Sequence, residues 1–219
     1  AAHNIVEAEF PVRVVKPVDT MFKSMARFQP TDQARKDYAD IPSAIQREGF
    51  LQQLLREQPG NYAVLKNTCS LTRLEGSDKI NVVPPQASLE LDCRLLPDQS
   101  PDAFIAEMKL IVDDPAVEFE TLVSFTPAIS STDTELFRAI EKNTRQHFPG
   151  AVMVAGVAAG FTDSHFFRKI GITSYGYSPI LIAPADLQGI HGNNERISVE
   201  GIEKGVVSLT NLLVDFTSN

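Results

Sequence analysis

The stretch from Ala87 to Leu95 constrains the fold most. Leu89, Leu91, Cys93 and Leu95 alternate with Ser88, Glu90, Asp92 and Arg94. Successive side chains of a strand point to opposite faces, so this is a strand with one apolar and one polar face. Thr68 to Glu75 is strand-like as well. Ser100 is a good N-cap with Pro101 at the first helical position, and Phe104, Met108 and Ile111 line one side of the helix that follows. Asp113-Asp114-Pro115 ends it. Val117, Phe119, Val123 and Phe125 alternate with Glu118, Glu120 and Ser124, which predicts a third strand. Strand–strand–helix–strand, covered on one face only, is a small α+β layer: an antiparallel sheet with helices on one face.

The flanks carry other periods. Ala1 to Phe10 reads as the tail of a helix stopped by Pro11, with Val12 to Val15 extended after it. Val18 to Gln58 is helical in character. Met21, Phe22, Met25 and Phe28 recur at helical spacing, as packing rather than a cofactor box. Ser43, Glu48, Phe50, Leu51, Leu54 and Leu55 mark a second helix ending at Pro59-Gly60. After Pro127 the order becomes helix–strand–helix–strand–helix. Leu136, Phe137, Ile140 and Phe148 lie on a helix begun near Thr132 or Thr134. Val152 to Val157 is a nearly all-apolar strand of the kind buried on both faces. Phe166, Phe167 and Ile170 form a short helix stopped by Gly171, and Ile172 to Tyr177 is another strand. The last helix, capped by Ser198, carries Ile202, Val206, Leu209, Leu213 and Phe216 as a core-facing stripe. This half reads as parallel α/β but supplies about two strands where about five or more are usual. The missing strands are expected from elsewhere.

With 219 residues and 43 % apolar side chains, the chain can bury one large core or two small ones. Its net charge of −8, without a basic stripe, argues against nucleic acid or an anionic membrane as partner. No apolar run reaches about 18 residues. Ala1-Ala2-His3-Asn4 lacks the basic and apolar regions of a signal peptide, and the chain reads as the inside of a longer one, so its compartment stays open. Cys69 and Cys93 lie equally far from a hairpin centre near Asn81; two reduced, buried thiols are expected over a cross-strand disulfide. Gly156-Val157-Ala158-Ala159-Gly160 is not a dinucleotide fingerprint, and Ser164 and Ser178 lack a nucleophile-elbow context. His147 is placed at a helix C-terminus, and His165 reads as a surface or orienting group.

One loop stands apart. Gly189-Ile190-His191-Gly192-Asn193-Asn194-Glu195-Arg196 delivers a glycine-flanked histidine into polar surroundings just before the last helix. An exposed imidazole there suits metal ligation or acid–base chemistry, although a single ligand does not make a site.

Ile80-Asn81-Val82-Val83-Pro84 with Leu91-Asp92-Cys93-Arg94-Leu95-Leu96-Pro97, then Gly160-Phe161-Thr162-Asp163, then His191-Gly192-Asn193-Asn194-Glu195-Arg196-Ile197-Ser198, resemble in order the C-terminal half of the di-zinc aminoacylase/carboxypeptidase hydrolases. Phe10-Pro11-Val12-Arg13 and the helical insert look most like the carboxypeptidase S branch. The resemblance implies a lid, or dimerisation, domain over residues 1–126, incomplete at its start and with a helical insert at about 17–60. Residues 127–219 would then be the C-terminal part of an α/β zinc-hydrolase catalytic domain.

It further implies a parent enzyme that holds two zinc ions and cleaves a peptide or N-acyl amide bond next to a substrate carboxylate, through metal-activated water. His191 matches a zinc ligand. Asn81, Arg94, Gly160 and Thr162 match substrate-binding positions: an amide toward a developing oxyanion, a guanidinium on a carboxylate, and a turn whose backbone and hydroxyl groups bond that carboxylate. Asp163 and Glu195 are expected to orient the site. The remaining ligands and the general base have no counterpart here, so the chain alone is expected to be inactive and not to retain zinc. Its implied partners are a small peptide or N-acyl amino acid, the N-terminal half of the catalytic domain, and a second copy paired through the lid. The alternatives are a non-catalytic dimerisation module and a small-molecule-binding module.

Overall fold

The computed structural model describes residues 2–125, 127–158, 160–187 and 189–218. Ala1, Ala159 of the glycine-containing turn, and Thr126, the expected end of the lid, lie outside them. The chain divides into two compact units, Ala1–Ile129 with Ala155–Phe166 and Ser130–Val154 with Phe167–Asn219.

The first unit opens with the short helix α1 (Ala2–Val6). A helical insert follows: α2 (Lys16–Met25), a 3₁₀ turn at Ala26–Phe28, α3 (Asp32–Ala39), α4 (Ile41–Ala44), α5 (Phe50–Glu57) and α6 (Pro59–Ala63). Thr31 and Asp40 cap α3 and α4 by accepting from the backbone N–H groups of Ala34 and Ser43. Val18, Met21, Phe22, Tyr38, Ile41, Ala44, Phe50 and Leu54 are buried, with Tyr38 edge-on to Phe22 at 4.9 Å. Met21 and Phe22 of the methionine–aromatic stripe therefore pack, while Phe28 is exposed beneath the Arg27 guanidinium.

Beyond the insert, β1 (Thr68–Glu75) pairs antiparallel with β2 (Ser88–Arg94). The register shifts between Leu71 and Arg73, and the Thr72 hydroxyl there donates to the Glu90 carbonyl at 3.2 Å. Ser100 caps α7 (Pro101–Val112), and Asp113, at φ 47°, stops it in the left-handed region. The apolar side of the sheet (Cys69, Leu89, Leu91, Cys93 and Leu95) packs on Ile5, Phe10, Phe104, Met108 and Val112 from α1, its exit and α7. The opposite side carries Arg73, bonded to Glu75 and Glu90. Glu75 foremost, then Glu90, pushes the Arg73 pKa up. Buried Asn67 ties the layer together: its Oδ1 accepts from the Leu96 N–H at 2.8 Å and its Nδ2 donates to Gln99 at 3.2 Å.

Two expectations for this layer are corrected. Cys69 and Cys93 are not free thiols but a disulfide, because the register sets them directly opposite each other, Cα atoms 4.1 Å apart. The third strand expected over Val117 to Phe125 is absent, and the sheet described has two strands. Val117 and Phe119 still pack on the α7 side of the core. Alternation half-buries their side chains, but no ladder pairs their backbone.

In the second unit, Thr134 caps α8 (Glu135–His147), which packs on the last helix, α11 (Val199–Thr217). Asn143 donates to Ser208 at 2.7 Å within that contact, and His147 at the end of α8 bonds Asn211 at 3.1 Å. The short helices α9 (Ser164–Lys169) and α10 (Pro184–Leu187) lie between them in sequence. The strands expected at Val152 to Val157 and Ile172 to Tyr177 are not formed, since neither finds a ladder partner among the described residues. The second segment is held instead by side chains: Tyr175 bonds Thr134 at 2.6 Å and Tyr177 bonds Thr144 at 3.0 Å.

The stripe on α11 is also corrected. Gly201, Gly205, Ser208 and Leu212 are buried, whereas Ile202, Val206, Leu209, Leu213 and Phe216 are 39–59 % exposed. Close approach selects the small-residue face: a Cβ on Gly205 would lie 2.7 Å from Ile180 Cγ1 and 2.9 Å from the Pro179 carbonyl oxygen. Among the described residues no helix is long and apolar enough to cross a membrane.

Candidate functional site

His191 lies in a tight exposed turn between α10 and α11. Gly189 donates to the Asp186 carbonyl at 3.0 Å, and Gly192 to the Gly189 carbonyl at 2.9 Å. These bonds curl the chain so that His191 takes φ 61° and Asn194 φ 63°. A non-glycine residue in the left-handed region costs about 1–3 kcal/mol and persists where the surroundings enforce it, most often at functional sites. Glu195 braces the same turn, its carboxylate accepting from the His191 backbone N–H at 3.3 Å. Arg196 reaches back to Asp186 at 2.6 Å and closes the loop. Glu195 thus holds the histidine through its backbone, which leaves the imidazole exposed.

Asn81, Arg94, Gly160, Thr162 and Asp163 belong to the first unit, and His191 and Glu195 to the second. Asn81 is exposed in the long turn between β1 and β2. Arg94 ends β2 on its polar face and is paired with Asp92 at 2.6 Å. A half-exposed pair of this kind contributes little to stability. Gly160 is exposed, and the turn after it feeds α9. The Thr162 carbonyl accepts from the His165 N–H at 3.1 Å, and that of Asp163 from the Phe166 N–H at 3.0 Å. Both side chains stand at the surface. Of the residues picked out from sequence, the structure joins His191 to Glu195.

Sequence reasoning missed the rings around that turn. Phe125 stacks on Phe161 at 4.2 Å, and His165 and Phe166 meet Phe125 edge-on at 4.9 and 5.9 Å. The signal was present, since Phe161 interrupts the polar Gly160–Asp163 motif, but Phe125 comes from a distant segment.

The candidate loop offers two possible metal donors, the His191 imidazole and the Glu195 carboxylate. Among the described residues no group of three or more His, Cys, Asp and Glu side chains could hold a metal ion. A zinc site normally uses three or four protein ligands, so these residues do not by themselves fit one.

Residues 22–120 match the family model M20_dimer, the peptidase dimerisation domain. The N-fatty-acyl-amino acid synthase/hydrolase PM20D1 of Xenopus tropicalis is 33 % identical over 156 residues, 70 % of this chain and 30 % of that protein. The probable carboxypeptidase S-like 2 of Dictyostelium discoideum is 25 % identical over 171 residues, 77 % of this chain and 31 % of that protein. In fold, the M20 family metallo-carboxypeptidase Sso-CP2 of Sulfolobus solfataricus superposes with a TM-score of 0.56 at 17 % identity, over 97 % of this chain and 51 % of that one. These matches support membership of the M20 aminoacylase/carboxypeptidase family, and the antiparallel sheet with helices on one face is consistent with the α+β lid of that family. It spans about a third of the length of the curated relatives it matches.

Proposed function

We propose that these residues are the C-terminal portion of a zinc-dependent hydrolase that cleaves a peptide or N-acyl amide bond next to a substrate carboxylate. Residues 1–126 would be its lid and 127–219 part of its catalytic domain. The observation that carries this reading is His191, an exposed imidazole on a left-handed backbone in a carboxylate-braced turn. The names of two relatives point the same way, since an N-fatty-acyl-amino acid and a carboxypeptidase substrate both place an amide beside a carboxylate.

In this reading His191 supplies one ligand to a zinc ion whose other ligands lie outside these residues. Bound zinc would supply an activated water. The chain's own residues would do the positioning. Arg94 exchanges Asp92 for the substrate carboxylate, the Gly160–Thr162 turn bonds that carboxylate, and Asn81 donates toward the developing oxyanion. Asp163 and Glu195 keep the two loops in shape. Residues 1–219 alone would then hydrolyse neither peptides nor N-acyl amino acids in the presence of zinc, and the full-length protein would hydrolyse at least one of them. Zinc-dependent hydrolysis by the 219 residues alone would overturn the reading.

The match to a dimerisation domain supports a second reading that is compatible with the first: two copies pair through their lids. Sedimentation of the full-length protein tests it, with a dimer expected and a concentration-independent monomer contradicting it.

A further inference from the structure

Among the described residues, the ring cluster beside the Gly160–Asp163 turn is left partly uncovered. Phe161 is 42 % exposed and Phe166 52 % exposed, although both touch Phe125 and each other. Phe125 and His165 lie half-buried behind them. Stacked, tilted and edge-on contacts with Phe125, His165 and Phe166 respectively orient the plane of Phe161 and leave ring area open. The two backbone hydrogen bonds into α9, from His165 to Thr162 and from Phe166 to Asp163, tie the ring-bearing residues rigidly to the turn.

We propose that Phe161 and Phe166, backed by Phe125 and His165, form a shelf for the side chain of the amino acid whose carboxylate the Gly160–Thr162 turn holds. The substrates would be peptides or N-acyl amino acids ending in an aromatic or large apolar residue. This rests on the proposed function, which gives that turn its carboxylate. An amino acid carries its side chain and its α-carboxylate on the same carbon. A group that fixes the carboxylate therefore confines the side chain to the immediate surroundings, and here Phe161 sits between the two residues assigned to it. Aromatic faces reward apolar contact and offer a small or acidic side chain little in return.

The test uses the full-length protein with N-acetylphenylalanine and N-acetylalanine. The wild-type protein should favour the phenylalanine compound in kcat/KM. Phe161→Ala should lower the ratio of the two kcat/KM values by about tenfold or more, and Phe161→Leu should restore part of it. Thr162→Ala should depress both substrates and keep the ratio. An unchanged ratio in Phe161→Ala, with Thr162→Ala still impaired, would overturn the shelf and leave the hydrolase reading standing. If neither compound, nor a peptide ending in phenylalanine, is hydrolysed, the hydrolase reading fails. Calorimetric binding of N-acetylphenylalanine that is weakened in Phe161→Ala would then still support the shelf, and equal or absent binding would overturn it.

Discussion

Cys69 and Cys93 face each other across the two-stranded sheet and are joined by a disulfide, at a sequence separation of 24. The bond closes the hairpin that carries Asn81 at its exposed turn and Arg94 at its end. On chain-entropy grounds, cross-linking a loop of this length stabilises the folded state by about 3 kcal/mol. Replacing both cysteines with serine should lower the denaturation free energy by that order, and reductant should have little further effect on the variant. Equal stability with and without reductant in the wild-type protein would show that the thiols are not joined.

Gly205 is where α11 meets the Pro179–Ile180 backbone most closely. A methyl group there would press on a carbonyl that cannot swing aside as a side chain does. Gly205→Ala should therefore destabilise the second unit by about 1–3 kcal/mol even though alanine favours helix. Hydrogen exchange along α11 would show faster opening, and unchanged protection would contradict the contact.

Much of this was legible in the sequence, for local reasons. Ser100 and Ser198 announced the starts of α7 and α11, and the alternation at Leu89, Leu91 and Cys93 announced a half-buried strand. What failed depends on partners that periodicity does not name. Val117 to Phe125, Val152 to Val157 and Ile172 to Tyr177 have strand-like patterns but no neighbour to bond. On α11 the bulky stripe invited a core assignment, while the true contact runs along glycine and serine, which hydrophobicity underweights. At the site, glycines around His191 revealed an exposed loop; the left-handed backbone at His191 and its bond to Glu195 are tertiary facts.

Asn67 gives a further check on the lid. Its side chain occupies the buried Leu96 N–H. Asn67→Ala would strand that donor and cost about 1–3 kcal/mol. A smaller loss in thermal unfolding would mean that water replaces the amide.

Stability should also fall in acid. The Asp40 carboxyl, bonded by the Ser43 hydroxyl and backbone N–H at the start of α4, has its pKa lowered below the ordinary value. A group depressed by folding contributes stability above its unfolded pKa, about 4, and loses it as pH drops through the lower folded value. Asp40→Asn should flatten that part of the acid-unfolding curve. An unaltered curve would place the carboxyl's contribution elsewhere.

The role given to His191 is tested most directly by His191→Ala in the full-length protein, with bound zinc and turnover of an N-acyl amino acid measured on the same sample. Loss of zinc together with a fall in turnover of about a hundredfold or more, at unchanged thermal stability, is the expected result for a ligand on an exposed loop. Full zinc occupancy and near-normal turnover would contradict it and leave His191 as a surface residue.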